Sequence, residues 1–374
     1  MTTGQDFQVI SPHTEEPIAQ VPAAGPADVD AAVNTARTAL NSRPWSGYAP
    51  ADRIALIRRL AEIYQQHSAR MAETITAEIG APITFARRAQ VGLPAMMMRA
   101  FCDLAERHSW QETRPGFFGA DVHIRKEPVG VVAAIVPWNM PQFLIMTKLV
   151  PALLAGCTVV LKPAAESPLD ALLLAELLEE AEFPPGLVSV VTGGRDTGEL
   201  LVAHPGVDRV SFTGSTGAGR AVAAACAANL TRVGLELGGK SAAIVLEDAA
   251  PDKVAAGVRS ASLSNSGQIC NALTRVLVPA HRQDEYVQAL AAEMSGLRVG
   301  DPTDPETQLG PLVSTASSNV CSTTSGSANA KAPGWSPAGP ACPTASTADG
   351  TCAQPFSPRP TTACGSRAKR SSAR

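Results

Sequence analysis

Apolar residues recur every three to four positions in the segment that begins at Pro50. In PADRIALIRRLAEIYQQHSARMAETI, the side chains of Ile54, Ile57, Leu60 and Tyr64 fall on one face of a helix, because an α-helix repeats about every 3.6 residues. The pattern predicts helices with one buried face, and we expect the first hundred residues to be helical.

From Val129 onward the pattern changes to short β-branched runs that alternate with longer helical ones. The runs are VGVVAAIV (129–136), TVVLK (158–162), LVSVV (187–191), DRVSF (208–212) and SAAIVL (241–246). The intervening segments PQFLIMTKLVPALLAG, PLDALLLAELLEEA and TGAGRAVAAACAAN are typical of helices. This alternation predicts an α/β fold with a doubly wound parallel sheet whose strands are buried on both faces. Such sheets bind ligands at the carboxyl ends of their strands.

The pattern stops near Thr315. Residues 316–374 contain no Leu, Ile or Met, one Val, and seven prolines among Ser, Thr, Ala and Gly. We expect a disordered tail, because such a segment cannot bury enough apolar surface to offset the entropy of ordering. Two explanations are open: a natural linker or tail, or a coding frame lost after about codon 315. The abruptness of the change favours the second.

Composition is that of an ordinary globular enzyme, since 45% of the 374 residues are hydrophobic and 17% are charged. Residues 1–315 carry 25 basic and 33 acidic groups, whereas the tail carries six basic groups and one acidic group. The acidic body offers no electrostatic footprint for nucleic acid or a membrane surface, so neither partner is expected. The first residues lack a secretory signal pattern, and the apolar stretches are too short to span a bilayer. We expect a cytoplasmic protein.

Eight cysteines are present, and they are distributed in two groups. Four stand singly in well-patterned segments, as reduced cytosolic thiols do: Cys102, Cys157, Cys226 and Cys270. The other four lie in the tail without the paired spacing of a zinc site, so no metal is expected.

Three strand-end segments carry side chains suited to binding or catalysis. Asn139 in PWNMP places an amide N–H where it could stabilise an oxyanion, although Pro-Trp-Asn alone is more often a turn. Lys162 in LKPAAESP could reach a nucleotide ribose or phosphate, the alternative being a surface lysine. In SFTGSTGAG, Gly214 and Gly219 would let the backbone approach a diphosphate at a helix N-terminus, and a plain tight turn is the equal alternative.

A fourth pair of segments carries a thiol and a carboxylate. Cys270 in NSGQICNA has small polar neighbours, which favours an accessible thiol, although most cytosolic cysteines are inert. Glu236 in LELGGKSA follows a predicted strand and could activate water, although most glutamates are simply solvated. None of these segments contains a histidine, so a Cys-His pair has no local support.

Taken together and in this order, these segments resemble the NAD(P)-dependent aldehyde dehydrogenase superfamily, over about residues 11–313. The resemblance is carried by EPVGVVAAIVPWNMP, LKPAAESPL, FTGSTGAG, LELGGKSAAIV and SGQICNALTRVLV. It implies that Cys270 is the nucleophile and Glu236 the general base. Asn139 and the backbone N–H of Cys270 would form the oxyanion hole.

The resemblance also implies a dinucleotide site for NAD or NADP. The residues implied are Pro137, Trp138, Lys162, Glu166, Gly194, Gly214, Ser215, Gly219 and Leu237. Ala165 stands where NAD-preferring members often have a glutamate, and Glu166 is the next residue. Loss of that carboxylate would remove a repulsion against a 2′-phosphate, so the choice between NAD and NADP stays open.

The domains implied are a dinucleotide-binding domain at 1–235, a partial catalytic domain at 236–315 and an aberrant tail at 316–374. Residues 110–127 resemble the family's protruding oligomerisation strands, and homo-oligomers are expected of intact relatives. The family continues past residue 315 with motifs that the tail lacks, so we expect an apparently truncated or frameshifted chain. The implied function is oxidation of a small-molecule aldehyde to a carboxylic acid with hydride transfer to NAD(P). It proceeds through a Cys270 thiohemiacetal and a thioester that is hydrolysed with help from Glu236. The alternative is a catalytically dead, truncated dinucleotide-binding remnant.

Overall fold

A parallel β-sheet lies at the centre of the molecule, which is known from a computed structural model that describes residues 5–315, 317 and 319. The strands are β1 (Phe7–Ile10), β2 (Pro17–Val21), β3 (Gln111–Pro115), β4 (Asp121–Arg125), β5 (Val131–Ile135), β6 (Thr158–Lys162), β7 (Val188–Val190), β8 (Arg209–Gly214), β9 (Arg232–Leu237), β10 (Ala242–Ile244) and β11 (Arg275–Leu277). The helices are α1 (Pro26–Asn41), α2 (Pro50–Gln66), α3 (Ser68–Ile79), α4 (Ile83–Phe85), α5 (Gly92–Arg107), α6 (Pro141–Leu154), α7 (Leu169–Glu180), α8 (Arg195–Ala203), α9 (Thr216–Ala228), α10 (Pro251–Ser262) and α11 (Gln283–Ser295). A π-helical segment, Ala86–Val91, joins α4 to α5.

The central sheet has five parallel strands in the order β7-β6-β5-β8-β9. The chain runs outward from β5 through β6 to β7, and then returns to the other side of β5 as β8 and β9. The direction of winding therefore reverses between β5 and β8. In open α/β sheets a ligand crevice forms at such a switch point, outside the carboxyl ends of the strands.

Strands β5 and β6 are buried along their whole length because helices cover both faces of the sheet. Along β5, Val132 and Ala134 pack into a first core with helices α2, α3, α5, α6 and α7. Val131 and Ala133 pack into a second core on the other face, with α1, α8 and α9. Successive side chains of a strand point to opposite faces, so a run of apolar residues fills both cores. The predicted doubly wound sheet is confirmed.

Three sequence predictions differ from the structure in detail. The first hundred residues are not all helical, because β1 and β2 form an antiparallel pair. The amphipathic segment that begins at Pro50 is two helices separated at His67, although its predicted inward face is buried as expected. The run SAAIVL does not enter the central sheet. It forms β10, which pairs with β11, and Ile244 is 74% exposed rather than buried on both faces.

The strands predicted at 110–127 form the antiparallel hairpin β3–β4, a two-stranded sheet of its own. Phe117 and Phe118 at its tip are 96% and 95% exposed. The oligomerisation role implied for this hairpin stays a prediction. The predicted low-complexity tail falls almost wholly outside the described residues. Within the described part of the chain, no helix has the length and apolar character needed to cross a membrane.

Two carboxyl groups are buried where α7 meets α3 and α6. Glu78 of α3 accepts hydrogen bonds from the backbone N–H groups of Leu169 and Asp170, and so satisfies donors at the start of α7. Asp170 accepts a hydrogen bond of 2.6 Å from the side-chain amide of Gln142. Burial raises the pKa of Asp170 to about 7. Burial, followed by the charge of Asp170, raises the pKa of Glu78 well above its usual range.

We expect this pair to make the protein less stable as pH rises from about 4 to about 7. An aspartate in the unfolded chain ionises near pH 3.9, whereas the folded protein holds the Asp170 proton to about pH 7. Between these two pKa values the folded protein binds the proton and the unfolded chain does not. The free energy of unfolding therefore falls by up to ~1.4 kcal/mol for each unit that the pH rises across that range. Urea unfolding of the wild-type chain at pH 5 and pH 7.5 measures the loss.

Asp170→Asn tests the assignment, since it removes the ionisable group and keeps an oxygen that can accept from Gln142. We expect it to reduce the dependence of unfolding free energy on pH and to leave the part that is due to buried Glu78. Glu179→Gln, at an exposed position of the same helix, should leave the dependence as it is in the wild type. An equal slope in wild type and Asp170→Asn would contradict this account.

Candidate active site

Cys270 is the exposed cysteine in the described part of the chain, whereas Cys102, Cys157 and Cys226 are buried. It follows a turn in which Asn265, Ser266 and Gly267 all have positive φ, at 53°, 56° and 79°. Left-handed backbone is rare for residues other than glycine, and costs about 1–3 kcal/mol where it occurs. The turn must therefore be held in place by its surroundings.

Residues 310–313 provide part of that support. The hydroxyl of Ser266 donates to the carbonyl of Gly310 at 3.0 Å, and lies 2.9 Å from the Gly310 N–H. The N–H of Val313 donates to the side-chain oxygen of Gln268 at 3.0 Å. Val313 is itself buried in the first core. The cysteine loop is thus tied to the body of the molecule two and four residues before Cys270.

Asn139 lies between the end of β5 and the start of α6, and its side chain contacts the cysteine loop. The Asn139 amide nitrogen donates to the carbonyl of Gln268 at 2.9 Å. Its backbone carbonyl accepts hydrogen bonds of 2.8 Å from the side-chain amides of Gln90 and Asn265. An amide nitrogen carries two hydrogens, so one N–H of Asn139 remains for a further acceptor near Cys270.

Glu236 lies inside β9, one residue before its end, and not after the strand as predicted. It is exposed, and is paired in register with Thr213 of β8. Gly239, three residues later, is close to the cysteine loop, because a Cβ there would lie 3.9 Å from the carbonyl oxygen of Cys270. The structure therefore brings the segment of the predicted base to the predicted nucleophile.

Lys148 is a charged group of this site that the sequence predictions missed. It is 93% buried on α6, and its ammonium lies 3.4 Å from the hydroxyl of Ser211. Burial lowers the pKa of Lys148 to about 8, while the carboxylate of Glu236 acts to raise it. A signal was available: Lys148 is the single charged residue of the apolar helix PQFLIMTKLVPALL.

Lys162 closes β6 and is buried beneath the turn that precedes α8. Its ammonium donates to the carbonyls of Pro163 and Gly193, at 2.8 and 2.7 Å. Burial lowers its pKa to about 8, and the charge of Glu166 acts to raise it. An ammonium has three hydrogens, so one remains for a ligand oxygen. Gly194 caps α8, and a Cβ there would meet no atom within 4 Å.

A single residue, Ser215, joins β8 to α9, which is a shorter connection than the predicted glycine loop, because Gly214 ends β8 and Gly219 lies inside α9. Ser215 caps α9, and its hydroxyl accepts a hydrogen bond of 3.2 Å from the N–H of Ala218. Gly219 allows α9 to pack directly on β9, because a Cβ there would lie 2.6 Å from a methyl carbon of Leu237. Gly217 faces open space. The helix N-terminus is thus held against the sheet with backbone N–H groups available.

The remaining predicted residues lie around the same edge of the sheet. Pro137 and Trp138 follow β5 and are half-buried, and Trp138 packs against the first core. Glu166 is exposed in the turn after β6. Apart from Cys270, every predicted site residue therefore lies within five residues of the carboxyl end of β5, β6, β7, β8 or β9.

The sequence model of the Aldehyde dehydrogenase family matches residues 1–355. The chain belongs to the aldehyde dehydrogenase family. The resemblance predicted from the sequence is therefore confirmed, and the match extends 40 residues past the point at which the pattern of apolar residues stops.

Individual aldehyde dehydrogenases agree with this assignment. Geranial dehydrogenase of Castellaniella defragrans is 43% identical over 312 residues, which are 83% of this chain and 65% of that protein. Aminoacetaldehyde dehydrogenase of Pseudomonas aeruginosa is 39% identical over 316 residues, 84% of this chain and 64% of the relative. The chain therefore spans slightly under two thirds of the length of these relatives.

Solved structures give the same result for the fold. The aldehyde dehydrogenase of Mycobacterium tuberculosis complexed with NAD⁺ has a TM-score of 0.85 and 40% identity, over 88% of this chain and 68% of that one. A cysteine-to-alanine mutant of aldehyde dehydrogenase C from Pseudomonas syringae, complexed with NAD⁺ and octanal, has a TM-score of 0.84 and 39% identity. The match covers 87% of this chain and 66% of the Pseudomonas syringae chain.

The contact between α9 and β9 yields a stability prediction. Gly219→Ala should destabilise the protein by about 1–2 kcal/mol, because the added methyl group overlaps the packed side chain of Leu237. Gly217→Ala, two residues away on the same helix, has free space and should be neutral or slightly stabilising. Urea unfolding measures both.

The double variant Gly219→Ala with Leu237→Ala serves as the control for the cause. The double variant should lose less unfolding free energy than the sum of the losses in the two single variants, because the shorter side chain leaves room for the methyl group. Equal stability of Gly219→Ala and Gly217→Ala would show that the close approach carries no constraint.

Proposed function

We propose that this chain oxidises an aldehyde to a carboxylic acid, with Cys270 as nucleophile and with NAD or NADP as hydride acceptor. The observation that carries the proposal is the hydrogen bond of 2.9 Å between the Asn139 amide and the carbonyl of Gln268. This bond joins the Asn139 amide to the loop that carries the exposed Cys270 thiol two residues further along the chain, which supports a role for both in one site. Family membership and NAD⁺-bound structural neighbours support the same chemistry.

The residues at the switch point fit a dinucleotide. The N-terminus of α9 lies on the sheet because Gly219 has no side chain, and the neighbouring Gly217 faces open space. Gly194 leaves the N-terminus of α8 open in the same way. Helix N-termini favour anions such as a diphosphate. The buried ammonium of Lys162, with one hydrogen unused, suits a ribose hydroxyl.

Further contacts with the coenzyme are proposed for Pro137, Trp138, Glu166, Gly214, Ser215 and Leu237, which surround the same edge. When bound, NAD or NADP would supply the acceptor for the hydride that leaves the substrate carbon. Ala165 stands at the third position after Lys162, where a glutamate would favour NAD, and Glu166 is exposed next to it. Both coenzymes are therefore retained in the proposal.

The first half of the reaction forms a thioester. The thiolate of Cys270 attacks the aldehyde carbon, a sulfur–carbon bond forms, and the carbonyl oxygen becomes an alkoxide. The free N–H of Asn139 and the backbone N–H of Cys270 stabilise that negative charge. Loss of hydride from the same carbon restores the carbonyl and leaves an acyl group on sulfur.

The second half releases the acid. Glu236 removes a proton from water, and the hydroxide attacks the thioester carbon. The carbon–sulfur bond breaks, the thiolate of Cys270 leaves and the carboxylic acid is released. Lys148 on α6 is close enough for its positive charge to attract the Glu236 carboxylate, and its ammonium lies 3.4 Å from the Ser211 hydroxyl of β8.

Cys270→Ala should abolish turnover, by at least ~10³-fold, because the covalent intermediate has no alternative nucleophile. The measurement is the absorbance of reduced coenzyme after a mixture of aldehyde and NAD or NADP is added to the full 374-residue chain. Coenzyme binding, followed by calorimetry, should be unchanged in the variant. Cys102→Ala is the matched control, because burial raises the pKa of that thiol to about 11 and makes it a poor nucleophile. A folded wild-type chain that binds coenzyme without turnover would sink the catalytic proposal, and would favour a non-catalytic binding protein instead.

Glu236→Gln should separate the two halves of the reaction. The thioester still forms, so one equivalent of reduced coenzyme appears in the first turnover, but hydrolysis slows by about 10²-fold without the general base. Rapid-mixing absorbance gives the first turnover, and mass spectrometry detects the acylated Cys270 peptide. Glu179→Gln, an exposed carboxylate on α7, should behave as wild type. Equal loss of the first turnover and the steady state in Glu236→Gln would assign the residue a different role.

A further inference from the structure

Gln90 is a buried amide that no catalytic motif contains, yet it reaches the proposed site. It belongs to the π-helical segment Ala86–Val91 and has no exposed surface. Its amide nitrogen donates to the backbone carbonyl of Asn139 at 2.8 Å. The two residues are 49 positions apart, so the contact is a product of the fold and not of local sequence.

A second amide converges on the same oxygen. Asn265, which is 99% buried in the left-handed turn before Cys270, donates its side-chain N–H to the Asn139 carbonyl at 2.8 Å. A carbonyl oxygen has two lone pairs, and here both are used. The peptide plane of Asn139 is thus held from two sides, by α5's leading segment and by the cysteine loop.

The backbone around Gln90 and Asn265 is unusual at both residues. A π-helical turn contains an extra residue relative to an α-helix, which rotates the side chains that follow, and such turns are frequently found at functional sites. Asn265 has positive φ, which non-glycine residues seldom adopt. The two donors to the Asn139 carbonyl thus both lie in uncommon backbone conformations, a π-helical turn at Gln90 and a positive φ at Asn265.

Each of these amides also leaves a side-chain oxygen without a protein partner. The oxygens of Gln90, Asn139 and Asn265 are buried and accept no hydrogen bond from the described residues. Unpaired buried polar atoms destabilise a protein. The amides are therefore not favoured for packing alone, and what they supply is the pair of N–H donors to the Asn139 carbonyl.

We propose that Gln90 is a positioning residue that acts with Asn265 to fix Asn139, and so directs the free Asn139 N–H toward the oxyanion formed at Cys270. Gln90 does not touch the substrate in this arrangement. It acts through the Asn139 peptide, whose orientation sets the direction of the side chain. This inference rests on the proposed function, because it assigns Asn139 to the oxyanion of that reaction.

Two reactions of the same thiol separate positioning from general structural damage. Acylation of Cys270 by p-nitrophenyl acetate forms a sulfur–carbon bond, passes through a tetrahedral oxyanion and expels p-nitrophenolate. Alkylation by iodoacetamide displaces iodide directly and forms no oxyanion. Neither reaction requires coenzyme. The labelled peptide is identified by mass spectrometry, because the chain has seven other cysteines.

Gln90→Met keeps the length of the side chain and removes the N–H donor. We expect acylation to slow about tenfold, a smaller loss than the ~10²–10³-fold typical of removing an oxyanion donor itself. Alkylation of Cys270 should keep its wild-type rate. Gln142→Met is the matched control, since Gln142 is equally buried but donates to Asp170. It should leave the ratio of acylation to alkylation unchanged.

Asn265→Gly provides a second variant if Gln90→Met does not fold, because glycine accepts the left-handed backbone while the other donor is lost. It should lower the same ratio. An unchanged ratio in folded Gln90→Met, an unchanged ratio in Asn265→Gly where Gln90→Met does not fold, or an equal fall in Gln142→Met overturns the positioning role alone. If Cys270→Ala releases p-nitrophenolate as fast as wild type, the proposed function fails and the positioning role fails with it.

Discussion

The parallel alignment of the central strands is the constraint on which the site depends. Parallel strands place all their carboxyl ends at one edge, so residues far apart in the chain are brought together without any direct attraction between them. Asn139 follows β5, Lys162 ends β6 and Ser215 follows β8. The alignment is in turn fixed by burial of β5 and β6 on both faces, since a slip in register would exchange the side chains of the first and second cores.

Two lysines of the proposed site are buried, which disfavours their charged form. Lys148 and Lys162 are 93% and 94% buried, and burial lowers the pKa of each to about 8. Each is offset by a carboxylate that is itself exposed, Glu236 for one and Glu166 for the other. Both lysines are largely protonated at pH 7. The edge therefore holds positive charge inside the protein, with its compensating negative charge toward solvent, which suits a site for anionic groups.

Local sequence predicted the features that depend on local pattern. The buried runs of β5, β6 and β8 and the glycine loop before α9 were recognisable, because apolar continuity and Gly-Ser-Thr turns are properties of short segments. The predicted run SAAIVL was misplaced because apolar continuity cannot say which sheet a strand joins. The preceding strand, β9, forms that edge of the central sheet instead, although its only apolar residues are Val233, Leu235 and Leu237.

Features that depend on contacts between distant segments were not predictable in this way. The role of Gln90 follows from a hydrogen bond across 49 residues, and that of Asn265 from one across 126. The support that residues 310–313 give to the cysteine loop is equally nonlocal. In each case the side chain is an ordinary amide or hydroxyl in sequence, and only the folded chain shows which backbone group it meets.

The two halves of the proposed reaction rest on unequal support. Asn139 and the turn before Cys270 are held by buried amides and by bonds to residues 310–313, so the groups that form the thioester are fixed from several directions. Glu236 instead lies on β9, which in the described part of the chain has a strand neighbour on one side only. An edge strand with exposed residues opens more readily than a central one. The position of the base therefore depends on β8, on the packing of Leu237 beneath Gly219, and on attraction to Lys148. Of the two half-reactions, hydrolysis is the one whose geometry has the fewer constraints.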